Sequence, residues 1–157
     1  MKVELSEQDY IDATRLHARQ PVIFMSILVL IVGVVSALAS DSLGIEAGTV
    51  LEAMVGALVG IALYYFWIVR LWCKRIYRQQ RNLQTPYELT WDQNRVIMVG
   101  EYGESSIPWS NFVKYRENED LILMYYSDAL YNLVTKRSFD SLEELDQFRN
   151  FLSKQAN

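Results

Sequence analysis

The sequence predicts an α+β membrane protein: an N-terminal interfacial helix, a two-helix transmembrane hairpin, and a cytoplasmic antiparallel β-meander of about five strands closed by a C-terminal helix. Three observations carry this. Two long uncharged apolar runs lie between Pro21 and Trp72; Lys and Arg flank them on one side only; and after Pro86 helical runs give way to short β-branched and aromatic stretches. The expected divisions are 1–20 (cytoplasmic helix), 21–39 and 50–72 (the two spans), 40–49 (extracytoplasmic loop), 73–86 (basic stalk) and 87–157 (cytoplasmic domain).

Ser6 begins the N-terminal helix as a cap, with Glu7 and Asp9 at its positive end and Arg15 and Arg19 toward its negative end. It is expected at the cytoplasmic interface, with Pro21 in the first turn of the next helix or at a bend. From Pro21 to Ala39 run 19 residues without a charge, enough to span roughly 28 Å as a helix. Ala37-Leu38-Ala39 before Ser40 fits a small-x-small cleavage site, but the run exceeds a secretory apolar core and acids precede it, so a retained span is expected. Ala53 to Val69 gives 17 more uncharged residues, extended to Trp72 if Arg70 snorkels. Thr49 and Glu52 are spaced as a capping box opening this second helix, which explains Glu52 better than an ion-pathway carboxylate.

The loop from Ser40 to Thr49 has no Lys or Arg, whereas Arg70, Lys74, Arg75, Arg78 and Arg81 lie in or beyond the end of the second span. That bias places both termini in the cytoplasm and the five basic residues at the membrane surface, against anionic headgroups. Gly56 with Gly60, and Gly33 with Ala37, are small-xxx-small pairs that let helices approach closely, either within the hairpin or in a homodimer.

Strands are expected at about Tyr87–Trp91, Val96–Val99, Ser105–Lys114, Leu121–Tyr126 and Leu130–Thr135, with Pro108 marking an edge or bulge. Asp140 and Ser141 announce a final helix whose Leu142, Leu145, Phe148, Phe151 and Leu152 should cover the sheet. Residues 87–157 hold 12 acids against 7 Lys and Arg, which argues against nucleic-acid binding. The sole cysteine, Cys73, and sole histidine, His17, supply neither a disulfide framework nor a metal-ligand set, so no metal or cofactor is expected.

Several short motifs point to a family. Ile107-Pro108-Trp109-Ser110 leading into Tyr115-Arg116-Glu117-Asn118, Thr135-Lys136-Arg137-Ser138-Phe139 before the last helix, and the opening Leu5-Ser6-Glu7-Gln8-Asp9-Tyr10 with Arg15-Leu16-His17 resemble the YcxB-like membrane proteins of bacteria. Thr135 departs from the proline expected before the Lys-Arg segment. The resemblance implies a bacterial inner-membrane protein with a C-terminal sheet-and-helix domain, and assigns no reaction.

Trp109 and Phe139 read as core, and Arg116 with Glu117 as an ion pair or strand-end unit; Lys136 and Arg137 could instead grip a lipid phosphate or an acidic partner. Trp109, Arg116, Glu117, Lys136 and Arg137 are thus the candidate partner or lipid contacts. Paired carboxylates in a cleft, metal-ligand spacing, a phosphate-cradling glycine loop and a nucleophile elbow are all missing from the sequence, so an enzyme is not expected. The function expected is membrane-anchored, non-catalytic binding of a partner protein. An immunity protein neutralising a membrane-acting toxin and a lipid-sensing or regulatory module are the alternatives.

Overall fold

In the computed structural model, which describes residues 1–39, 42, 44 and 46–155, the chain divides into two units. One comprises Met1–Leu16 with Cys73–Asn157, the other His17–Trp72. The fold is α+β, as the sequence predicts, with long apolar helices, two antiparallel sheets and a final helix. Of the expected loop 40–49, residues 40, 41, 43 and 45 lie outside the described residues, and 47–49 are already helical.

Helix α1 (Glu7–Leu38) starts on a reciprocal cap: the Asp9 N–H donates to Ser6 Oγ at 3.1 Å, and Asp9 Oδ2 accepts from the Ser6 N–H and hydroxyl, each at 2.7 Å. It continues through Pro21, where a first-turn position or a bend was expected. One missing amide donor removes one hydrogen bond of a 32-residue helix and does not end it. Helix α2 (Ala47–Gln79) includes a π-helical turn at Tyr64–Ile68. Its expected capping box does not form. The helix begins before Thr49, at Ala47, with Glu46 at its N-cap and no side-chain cap bond, so Glu52 stands exposed in the second turn.

Within the His17–Trp72 unit, α1 and α2 pack through a narrow stripe. On α2 the more covered residues are Val50, Met54, Leu58, Ile61, Tyr65 and Val69. Steps of four drift by about 40° each on an α-helix, and the extra residue of the π turn offsets that drift, holding Ile61, Tyr65 and Val69 on one side. Gly33 lies against Met54: a Cβ on Gly33 would sit 2.6 Å from its sulfur. Gly33→Leu is therefore expected to destabilise this helix pair by about 1–3 kcal/mol, while Gly56→Leu, with open space around it, should leave the pair intact. Thermal melts of both variants in one detergent, followed by far-UV circular dichroism, check this; equal melts would refute it.

The other unit is layered about a fully buried strand. Strands β1 (Lys2–Val3), β2 (Tyr87–Trp91), β3 (Arg95–Gly100) and β4 (Gly103–Pro108) form one sheet in that order, and β5 (Lys114–Glu117), β6 (Leu121–Tyr125) and β7 (Tyr131–Thr135) form a second. A single five-strand meander was expected. The chain divides it at Pro108, which ends edge strand β4 and enters a 3₁₀ turn at Trp109–Asn111, so the expected long third strand becomes β4 and β5. A short helix α3 (Arg81–Gln84) precedes β2, and α4 (Leu142–Gln155) closes the fold.

Every residue of β6 is buried because both faces of its sheet are covered. Leu121, Leu123, Tyr125 and Leu133 pack with Ala13 and Leu16 of α1. Ile122, Met124 and Val134 pack with Leu89, Val96, Trp109 and α4 residues Leu145, Phe148 and Leu152. The first turns of α1 thus form one layer of this unit, where a separate interfacial helix was expected. Leu142 does not join the α4 stripe; it opens the helix and is 78% exposed. Ser141 Oγ accepts the Glu144 N–H, and Glu144 returns a carboxylate to the Asp140 N–H, which fixes that helix start.

Candidate functional site

Most of the charged residues that the sequence offers as contacts are used to tie elements together. Glu117 ends β5 and receives Lys136 Nζ at 2.8 Å and Arg149 at 2.9 Å, joining β5, the 3₁₀ turn at Lys136–Ser138 and α4. Burial would raise its carboxyl pKa, but hydrogen bonds from Lys136 and Arg149 hold it below the usual range. Lys136 also donates to the Asn118 carbonyl, and its side chain is only 14% exposed. Arg137 forks onto Asp9, with one Nη 2.8 Å from Oδ1 and the other on Oδ2, and donates to the Glu4 carbonyl at 3.1 Å. These bonds carry the turn that precedes α4 onto the start of α1.

Arg116 and Glu117 leave opposite faces of the strand. The Arg116 guanidinium lies 5.5 Å from the Tyr125 ring centre. Trp109 is buried, donates its indole N–H to the Asp92 carbonyl at 2.9 Å, and meets Phe148 edge-on and Phe151 face to face. Phe139 is half-buried against Trp91 and Phe148. Both aromatics are core, as the sequence suggests.

The stalk residues divide. Lys74 and Arg78 reach Glu7 at 3.0 and 3.5 Å, whereas Arg70, Arg75 and Arg81 are exposed. Gly33 and Ala37 line the α1/α2 contact, and Gly56 and Gly60 have open space where a side chain would project. Cys73 is buried as a free thiol. Among the described residues, no group of three His, Cys, Asp or Glu is placed to hold a metal.

A feature the sequence reading missed is a groove of about 410 Å³ along the β3–β4 hairpin and β7. Tyr87, Met98 and Leu133 contribute to its apolar wall, and Glu101, Tyr102 and Glu104 contribute from the hairpin. Tyr87 donates its hydroxyl to the Leu133 carbonyl at 2.8 Å, and burial pushes the phenol pKa upward. The Asn132 amide donates to Met98 Sδ at 3.5 Å and to the Tyr126 oxygen. Tyr126 is itself pushed up to about 12 by burial. The only sequence signal for this groove was the Tyr102-Gly103 turn; its walls come from strands far apart in the chain.

Comparison with known proteins adds one assignment. The model of the family described as YcxB-like protein matches residues 91–152. Over those residues the chain is similar to that family. The matched segment runs from the end of β2 into α4, so it contains Trp109, Arg116, Glu117, Lys136 and Arg137 as well as the β3–β4 hairpin and β7. The two long apolar segments, Pro21–Ala39 and Ala53–Val69, lie outside it. No curated protein and no solved structure matches the chain.

Proposed function

We propose that α1 and α2 cross the bacterial inner membrane as a hairpin, and that the chain is a non-catalytic anchor presenting its YcxB-like domain to a partner protein at the cytoplasmic surface. The observation that carries the reading is how little of the apolar helical surface is covered. Both helices are long and apolar enough to span a bilayer, and their most apolar windows are 0% and 6% buried. Phe24, Val35, Phe66 and Trp67 are all more than half exposed. Contiguous apolar surface of that extent calls for lipid or protein cover.

The Lys and Arg asymmetry supports cytoplasmic termini. Exposed Arg70, Arg75 and Arg81 would then meet anionic headgroups. A partner-docking role is supported by the open groove on the sheet domain. Anchoring also raises the local concentration of a weakly bound partner.

The test joins two measurements. After alkaline carbonate washing of native membranes, the tagged chain is expected in the pellet, and release into the supernatant would overturn the anchor. Mild crosslinking before purification should then recover one protein in near-stoichiometric yield. Recovery of this chain alone would overturn the partner role.

A further inference from the structure

We infer that the groove along the β3–β4 hairpin and β7 docks a partner segment that is both apolar and cationic. The inference rests on the partner-binding reading above and names the chemistry of the contact. The groove volume, about 410 Å³, lies in the range of ligand pockets, roughly 300–1,000 Å³. Two polar side chains of its wall are already matched within the fold: the Tyr87 hydroxyl to the Leu133 carbonyl, and the Asn132 amide to Met98 and Tyr126. Around those two side chains the wall offers a guest the apolar surface of Tyr87, Met98 and Leu133, which favours aliphatic or aromatic side chains.

Charge fixes the rest of the partner's character. Among the described residues, Glu101 and Glu104 are the only Asp, Glu, Lys or Arg lining the groove. Both are exposed, and among the described residues neither is held in an ion pair. Two carboxylates beside an apolar cleft favour Lys or Arg flanking the inserted side chain and disfavour a fatty acid or an acidic peptide. The excess of acids across residues 87–157 acts in the same direction, drawing a cationic segment toward the domain. The carboxylates stay in water, so the attraction is screened by salt.

The experiment uses the full chain in non-ionic detergent with ¹³C-methyl methionine, where the Met98 methyl reports the groove and the Met54 methyl serves as a control for micelle effects. The probe is a capped Arg-Leu-Trp-Arg peptide, compared with Glu-Leu-Trp-Glu and Arg-Ser-Ser-Arg. Saturable movement of Met98 by the first peptide alone is expected, with affinity falling at least tenfold in the Glu101→Lys/Glu104→Lys variant and in high salt. An unmoved Met98, an equal response to the acidic peptide, or an unchanged affinity in the variant would overturn the inference. The same variant should keep the carbonate-resistant membrane fraction and lose the crosslinked partner. If it keeps both, the groove proposal fails while the anchor and partner reading stands.

Discussion

Trp109→Ala is expected to lower the stability of the sheet-and-helix unit by about 3–5 kcal/mol. Unit stabilities are typically about 5–15 kcal/mol, so the loss would bring this one near unfolding. The indole is 2% exposed and touches Phe112, Phe148 and Phe151. It stands where the chain passes from one sheet to the other. Removing it leaves a cavity beneath α4 and abandons the Asp92 carbonyl. Trp109→Phe keeps a ring and loses that hydrogen bond, at a cost of about 1 kcal/mol. Pulse proteolysis of the full chain across a urea series in non-ionic detergent separates the two variants. A Trp109→Ala midpoint equal to that of the wild type would show that the aromatic cluster does not hold the sheets together.

Local features of this fold were legible in the sequence because each depends on neighbours in the chain. The apolar helix from Pro21 to Leu38, the extent of β2 at Tyr87–Trp91, the edge position of the strand holding Pro108 and the cap at Ser141 all follow from composition or from a donor and acceptor a few residues apart. What could not be read was set by distant partners. Leu-Ile-Leu-Met-Tyr at 121–125 has the continuous apolar character of a strand covered on both faces, yet nothing local says that Ala13 and Leu16 supply one cover. The pairing of Lys2 and Val3 with Glu88 and Tyr87 was invisible for the same reason.

The candidate site shows the same division. Trp109 as core followed from its size and setting. The destinations of Lys136 and Arg137 did not, since Glu117 and Asp9 come to them only in the folded unit. A Lys-Arg pair beside a helix start reads as an anion grip until its internal carboxylates are found. The groove was hidden further, because Tyr87, Met98, Glu101 and Leu133 converge from three strands and a turn.

Asp9→Ala is expected to cost about 2–3 kcal/mol, because the carboxylate serves two purposes at once. It caps α1 through Ser6 and anchors Arg137 from the turn before α4. The Asp9 residue is 6% exposed, while the Arg137 side chain is 56% exposed, so water softens the ion-pair part of the loss. Asp9→Asn retains a side-chain oxygen for the Ser6 N–H and isolates the charge on Arg137. Burial would raise the Asp9 pKa, but hydrogen bonds from Arg137 and Ser6 outweigh it and hold the group below its ordinary range. A folded pKa below the unfolded value of about 4 makes the contribution complete above that pH, and it is lost as pH falls through the depressed value. The stability gap between wild type and Asp9→Asn should therefore be constant near neutrality and narrow as pH falls below the ordinary carboxyl range of about 4. Glu117, held low by Lys136 and Arg149, leaves the variant some acid sensitivity of its own. Urea midpoints of both proteins from pH 7 to pH 3 decide the matter: a gap that does not narrow in acid would show that the Asp9 charge does not stabilise the tie between α1 and the start of α4.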